Sequence, residues 1–112
     1  MTNGSAFIDP DKISQELSQR GMAWADAEAA AMALEETKKP LLAKLATESG
    51  GRSEAERERL AMADPQFTDH VQKMVKARSA AIKAKVRHET YKAYLELLRT
   101  AAASERAAMT LR

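Results

Sequence analysis

The chain has no cysteine, three prolines, four glycines and five aromatic residues in 112 positions. Without cysteine there is no disulfide framework, no thiolate nucleophile and no cysteine-based zinc site. That absence suits a reducing cytoplasm. No apolar run approaches the ~20 residues that span a bilayer. The opening stretch, MTNGSAFIDPDK, lacks the basic and apolar regions of a signal peptide. There is no glycine-rich phosphate loop, no nucleophile elbow and no triad. The expectation is therefore a chain that is not an enzyme. It has no cofactor, no metal, no small-molecule substrate and no membrane partner.

What is abundant is helix-forming. Alanine fills 23 positions, and Glu, Lys, Arg, Leu and Met supply much of the rest, which are the strongest helix formers. An all-α fold follows. Its core should be thin, because alanine lets helices approach closely but buries little area. Self-association into a dimer is expected to supply additional burial.

The few prolines and glycines punctuate the chain. Residues 1–8 read as a flexible lead and residues 9–112 as one helical domain. Asp9-Pro10 is an N-cap followed by proline at the first helical position, and Ile8 and Ile13 suit a hydrophobic staple. From there Ile13, Leu17, Trp24, Ala31, Leu34, Leu42 and Leu45 fall in one arc of a helical wheel. The arc predicts one long helix over about 10–48, kinked at Pro40, with a break at Lys39 as the alternative. Ser49-Gly50-Gly51 stops it. Ser53 to Glu56 fits a capping box that opens a short helix over 53–63. Asp64-Pro65 repeats the cap-and-proline signal and opens a third helix over 65–110. The short connector predicts that the two long helices run antiparallel, as a helical hairpin of coiled-coil type.

The third helix carries two apolar stripes, Val71, Val75, Ile82, Val86 and Ala93, then Tyr91, Tyr94, Leu95, Leu98 and Ala102. They centre on roughly opposite sides. The expectation is a bend near Arg87–Thr90, or two halves that face different partners.

Charge changes sign along the chain. Residues 1–70 carry 13 acidic and 8 basic side chains, and residues 71–112 carry 3 acidic and 10 basic. Lys73, Lys76, Lys83 and Arg87 share one flank of the third helix, and Arg78, Lys85 and Lys92 share the other. Such a surface suits phosphate contacts. Tyr91 and Tyr94 extend the first flank, where they are candidates for stacking on unpaired bases. The competing reading is electrostatic pairing with the acidic first half, for which Glu28, Glu35, Glu36, Asp26 and Glu48 are available. Trp24 reads as core. His70 and His88 are about 27 Å apart along a helix, share no metal, and read as surface histidines.

The segments 25–45 (ADAEAAAMALEETKKPLLAKL), 53–67 (SEAERERLAMADPQF) and 91–103 (YKAYLELLRTAAA) resemble small helical proteins encoded by bacteriophages and prophages, beside single-strand-annealing recombination genes. Pro40 departs from that pattern, which carries a helix former there. The resemblance implies a phage accessory protein in the bacterial cytoplasm, acting near DNA or on host defence machinery. Three functions follow as expectations. The first is a non-enzymatic accessory protein that binds DNA, or a DNA-handling complex, through Lys73, Lys76, Lys83, Arg87, Lys92, Tyr91 and Tyr94. The second is a protein–protein inhibitor or adaptor acting on a nucleic-acid-guided defence complex. The third is a structural coiled-coil dimer.

Overall fold

A computed structural model describes residues 9–111. The fold is all-α, with no strand among the described residues: α1 Pro10–Glu36, α2 Lys38–Glu48, α3 Glu54–Met62 and α4 Pro65–Thr110. The expected lead over residues 1–8, and the staple that needs Ile8, lie outside the described residues.

The helix starts follow their local chemistry. Asp9 Oδ1 accepts from the Asp11 N–H at 2.9 Å, and Asp64 Oδ1 accepts from the Gln66 N–H at 2.8 Å. In both cases proline takes the first helical position, where its missing N–H costs nothing. Ser53 is extended, and its Oγ accepts from the Glu56 N–H at 3.1 Å. Glu56 Oε2 reaches back to the Arg52 N–H at 3.4 Å, one residue earlier than the standard capping box places it. Between α2 and α3 the chain turns through Gly50, whose φ is +78°, a conformation that favours glycine. Gly51 is required for another reason. A Cβ there would stand 2.8 Å from the Arg57 backbone nitrogen.

The first long helix is two helices. α1 ends at Glu36 and α2 begins at Lys38. Pro40 is the cause: it has no N–H and its ring opposes the carbonyl four residues earlier, that of Glu36. The break falls one turn before the proline, which places Pro40 in the first turn of α2, where no ladder donor is needed. Thr37 keeps helical angles at the junction (φ −90°, ψ −2°), so the interruption is local.

The chain divides into two compact units. Unit 2 comprises residues 25–82. Its core is Leu45, Ala61 and Phe67, with Leu41, Leu42, Ala46 and Val71 packed around it. Leu45 comes from α2, Ala61 from α3 and Phe67 from the start of α4. Further along, α1 and α4 run antiparallel, as Leu34 meets His70 and Glu28 meets Arg78. Unit 1 comprises, of the described residues, 9–24 and 83–111. There Arg20 meets Tyr91 and Trp24 meets His88, again antiparallel.

Both units pack on a spacing of three and four residues. In unit 1 the inward positions are Ile13, Leu17, Arg20 and Trp24 against Ala84, His88, Tyr91, Leu95 and Leu98. In unit 2 they include Ala27, Ala31 and Leu34 against His70, Met74, Ala77 and Ala81. This is the 3.5-residue repeat of a coiled-coil seam.

That repeat corrects the two-stripe reading of the last helix. Val75, Ile82 and Val86 are 65%, 53% and 56% exposed, and Ala93 is exposed too. Of the first stripe only Val71 is drawn inward. The inward face is built from Ala77, Ala81, Ala84 and the two histidines, because small side chains let the backbones approach. Tyr91, Leu95 and Leu98 continue that same face, while Tyr94 and Ala102 are exposed. α4 is a single helix over Pro65–Thr110.

Candidate nucleic-acid interface

The basic residues of α4 divide according to whether the acidic helix α1 compensates them. Arg78, in unit 2, is fully engaged. Its Nε and Nη2 donate to the two carboxylate oxygens of Glu35 at 2.9 and 2.7 Å, and Nη1 donates to Glu28 at 2.7 Å. The fork on Glu35 is the bidentate geometry in which guanidinium and carboxylate bind best. Hydrogen bonds from Arg78 hold the Glu35 carboxyl below its ordinary range, against a smaller opposing effect of burial. The same bonds, to Glu35 first and Glu28 second, raise the Arg78 pKa. All three side chains keep about a third of their surface. Of the acids expected to pair with the basic segment, Glu28 and Glu35 do so.

The remaining cations are different. Lys73 pairs within its own helix with Asp69 at 3.1 Å, both well exposed, and such a pair is worth little. Lys76, also in unit 2, is exposed and joins no ion pair among the described residues. In unit 1, Lys83, Arg87 and Lys92 are exposed and likewise join none. Lys85 approaches Glu89 at 3.8 Å and lies 5.9 Å from the centre of the Trp24 ring.

The two tyrosines separate. Tyr94 is 54% exposed and lies seven residues after Arg87, on the same flank. Tyr91 is half-buried beneath the Arg20 guanidinium, whose central carbon lies 4.8 Å from the ring centre. Its face is occupied by a cation–π contact. Arg20 was not expected in this role. Its Nε also donates to Glu16 at 2.9 Å, and its Nη1 donates to the Arg87 carbonyl at 3.3 Å. The signal was its position at a seam site, between Leu17 and Trp24.

Neither histidine is a free surface residue, which corrects the expectation. His70 is half-buried. Its Nε2 donates to the Leu34 carbonyl at 2.8 Å, so that nitrogen carries a proton. Leu34 lies at the end of α1, where the backbone ladder stops. The Thr37 hydroxyl stands 3.0 and 3.1 Å from the carbonyls of Ala33 and Leu34. His70 thus satisfies part of what the Pro40 break leaves open. His88 is half-buried against Trp24, with ring centres 5.5 Å apart and planes at 40°. Its Nδ1 is buried and, among the described residues, has no partner. Trp24 is half-buried, not enclosed.

Among the described residues no group of three or more His, Asp or Glu side chains is placed to hold a metal ion. None of the described helices is long and apolar enough to cross a membrane. The groove between α2 and α3, about 240 Å³, is lined by the apolar Leu42, Ala43 and Ala46 and by the charged Lys39, Glu54, Arg57 and Glu58. The chain matches no protein-family model, no curated protein and no solved structure.

Proposed function

We propose that the protein is a non-enzymatic nucleic-acid-binding protein whose contact surface is the basic face of α4 in unit 1. Lys83 and Arg87 neutralise phosphates on one flank, Lys92 does so on the other, and Tyr94 is the single aromatic residue available for stacking. The observation that carries this reading is the absence of compensation. Lys83, Arg87 and Lys92 are exposed and join no ion pair among the described residues, while Arg78 has been consumed by Glu28 and Glu35. Cations left free on one helix face attract a polyanion, and their counterion release makes binding steeply salt-dependent. The phage recombination setting implied by the sequence resemblance is part of the same proposal: the ligand is DNA, or DNA held in a handling complex.

Fluorescence anisotropy with labelled DNA at two salt concentrations tests it. The double variant Lys83→Ala/Arg87→Ala should weaken binding by about tenfold or more at low salt. It should also reduce the salt slope by about two, one for each phosphate no longer neutralised. Lys73→Ala/Lys76→Ala in unit 2 should do less, since Lys73 is already paired to Asp69. An affinity that does not respond to salt, or that survives the Lys83/Arg87 change intact, refutes the assignment.

A further inference from the structure

In unit 1 the fold uses one face of α4 and leaves the opposite face open. Ala84, His88, Tyr91 and Leu95 turn toward α1, and Val86, Thr90, Ala93 and Leu97 are exposed. At about 100° per residue, Val86, Ala93 and Leu97 fall within a ridge about 40° wide. Lys83 and Arg87 stand to one side of this ridge, Lys85 and Lys92 to the other. The two pairs of cations are roughly half a turn apart around the helix, with the ridge between them. A cationic rail on each side of an open helix face is the complement of two parallel rows of phosphates.

The side chains of the ridge agree with that ligand. Over residues 86–93 they are short: Val86, Thr90 and Ala93. Short side chains let a helix axis come close to whatever lies beneath it. The major groove of duplex DNA is about 12 Å wide and accepts a helix about 10–12 Å across, with the two backbones at its sides. Valine, threonine and alanine methyl groups suit contact with thymine methyls at the groove floor. From Lys83 to Lys92 the helix rises about 14 Å, a stretch that fits within one face of the groove. A single-stranded ligand is less well matched. Stacking platforms present successive aromatic faces, and here Tyr91 is covered by Arg20. A lipid surface is less well matched too, because the same stretch lacks the Trp, Phe and Leu that anchor interfacial helices. Glu89 is the one opposing charge in the stretch. It lies at the edge of the ridge, 3.8 Å from Lys85.

We infer that residues 83–94 of α4 lie in the major groove of duplex DNA, with Lys83 and Arg87 on the phosphates of one strand and Lys85 and Lys92 on those of the other. This inference rests on the nucleic-acid reading above and adds the form of the ligand and the mode of contact.

The test uses the full chain, a labelled duplex of about 20 base pairs and the single strand of the same sequence. Three variants are compared with the parent protein: Lys83→Ala/Arg87→Ala, Lys85→Ala/Lys92→Ala, and Ala93→Trp. The third fills the open face without changing charge. Circular dichroism checks that each remains helical. Lys92→Ala alone supports the second variant, should loss of Lys85 beside Trp24 disturb the fold. The expected result is tighter binding of duplex than of single strand. Each double variant should weaken duplex binding by about tenfold or more and reduce the salt slope by about two. Ala93→Trp should weaken it about tenfold. If only the Lys83/Arg87 pair matters and Ala93→Trp binds normally, α4 touches one backbone from outside. Groove insertion is then overturned while nucleic-acid binding stands. If the parent protein binds no DNA at low salt, both fall, and binding to phosphatidylserine vesicles in that case would make the face a lipid surface. If light scattering shows a dimer that Ala93→Trp disrupts, with duplex binding unchanged, the face belongs to a second copy and the inference fails.

Discussion

Unit 2 and unit 1 are built from the same two long helices and yet spend their side chains differently. Unit 2 has a core of Leu45, Ala61 and Phe67 and a guanidinium fork on two glutamates. It also has a histidine that completes the broken end of α1. Its charge is largely balanced where α1 meets α4. Unit 1 has one buried position on α4, Ala84. Its seam includes half-buried aromatic and histidine rings, and among the described residues its exposed cations on α4 pair with no acid of α1. Charge matching between α1 and α4 adds cohesion to unit 2 and is absent from the described residues of unit 1, where cations of α4 stay exposed.

The better packing of unit 2 depends most on Phe67. It is 8% exposed and joins α4 to the α2–α3 core, so Phe67→Ala should cost about 3–5 kcal/mol of unfolding free energy in urea titrations. A loss below about 1 kcal/mol would mean that unit 2 is not the better-packed region. Next is the ion cluster. Arg78→Met keeps the aliphatic stem and removes the fork, and should lower Tm and make it less sensitive to salt. The pH dependence has a definite sign. The folded-state pKa of Glu35 is depressed, so its contribution to stability is full above the unfolded value of about 4.3. It is lost as pH falls through the depressed folded value. The parent protein should therefore lose Tm on acidification below about pH 5 more steeply than Arg78→Met, and parallel curves would refute the coupling.

Smaller effects are expected at helix caps and on the helix surfaces. Ser53→Ala removes the cap of α3 and should cost about 1 kcal/mol, measured by the same titration. Gly21→Ala should do the reverse. A Cβ there meets the His88 ring at 3.5 Å, an ordinary contact, so the helix should gain about 0.5–1 kcal/mol from replacing the glycine. Destabilisation by that change would show that the seam at His88 has no room. Glu89→Gln should tighten DNA binding by about twofold to fivefold by freeing Lys85 and removing a charge that repels phosphate. A looser complex would assign Glu89 a contact of its own.

Helix starts were legible because they are local chemistry: Asp9, Ser53 and Asp64 cap the helices that follow them, and Gly50 turns the chain between α2 and α3. The basic flanks were legible too, since helical spacing alone places Lys83 and Arg87 together. The division of those charges was not. That Arg78 would be consumed and Lys83 spared depends on which residues of α1 lie opposite, and register cannot be read from composition. The seam is not legible in the sequence for a related reason. Val75, Ile82 and Val86 are more apolar than Ala77, Ala81 and Ala84, but close approach of two helices rewards small side chains over apolar ones. His70 and His88 took seam positions that a hydrophobicity pattern leaves blank. The place of the helix break was half visible: Pro40 announced it, but the ladder gives way before the proline.

The turn at Gly50-Gly51 also sets an order of events in time. Leu45 and Ala61, which flank it, are close in sequence. The contact of His70 with Leu34 spans 36 residues, that of Arg78 with Glu28 spans 50, and that of Arg20 with Arg87 spans 67. Each contact, once made, shortens the loop that the next must close, so the chain should zip outward from this turn. Substitutions at Gly51 or Leu45 should then slow folding. Substitutions at Trp24 or Tyr91 should leave the folding rate nearly unchanged and speed unfolding. The part of α4 assigned to DNA would be the last to acquire its partner helix and the first to lose it.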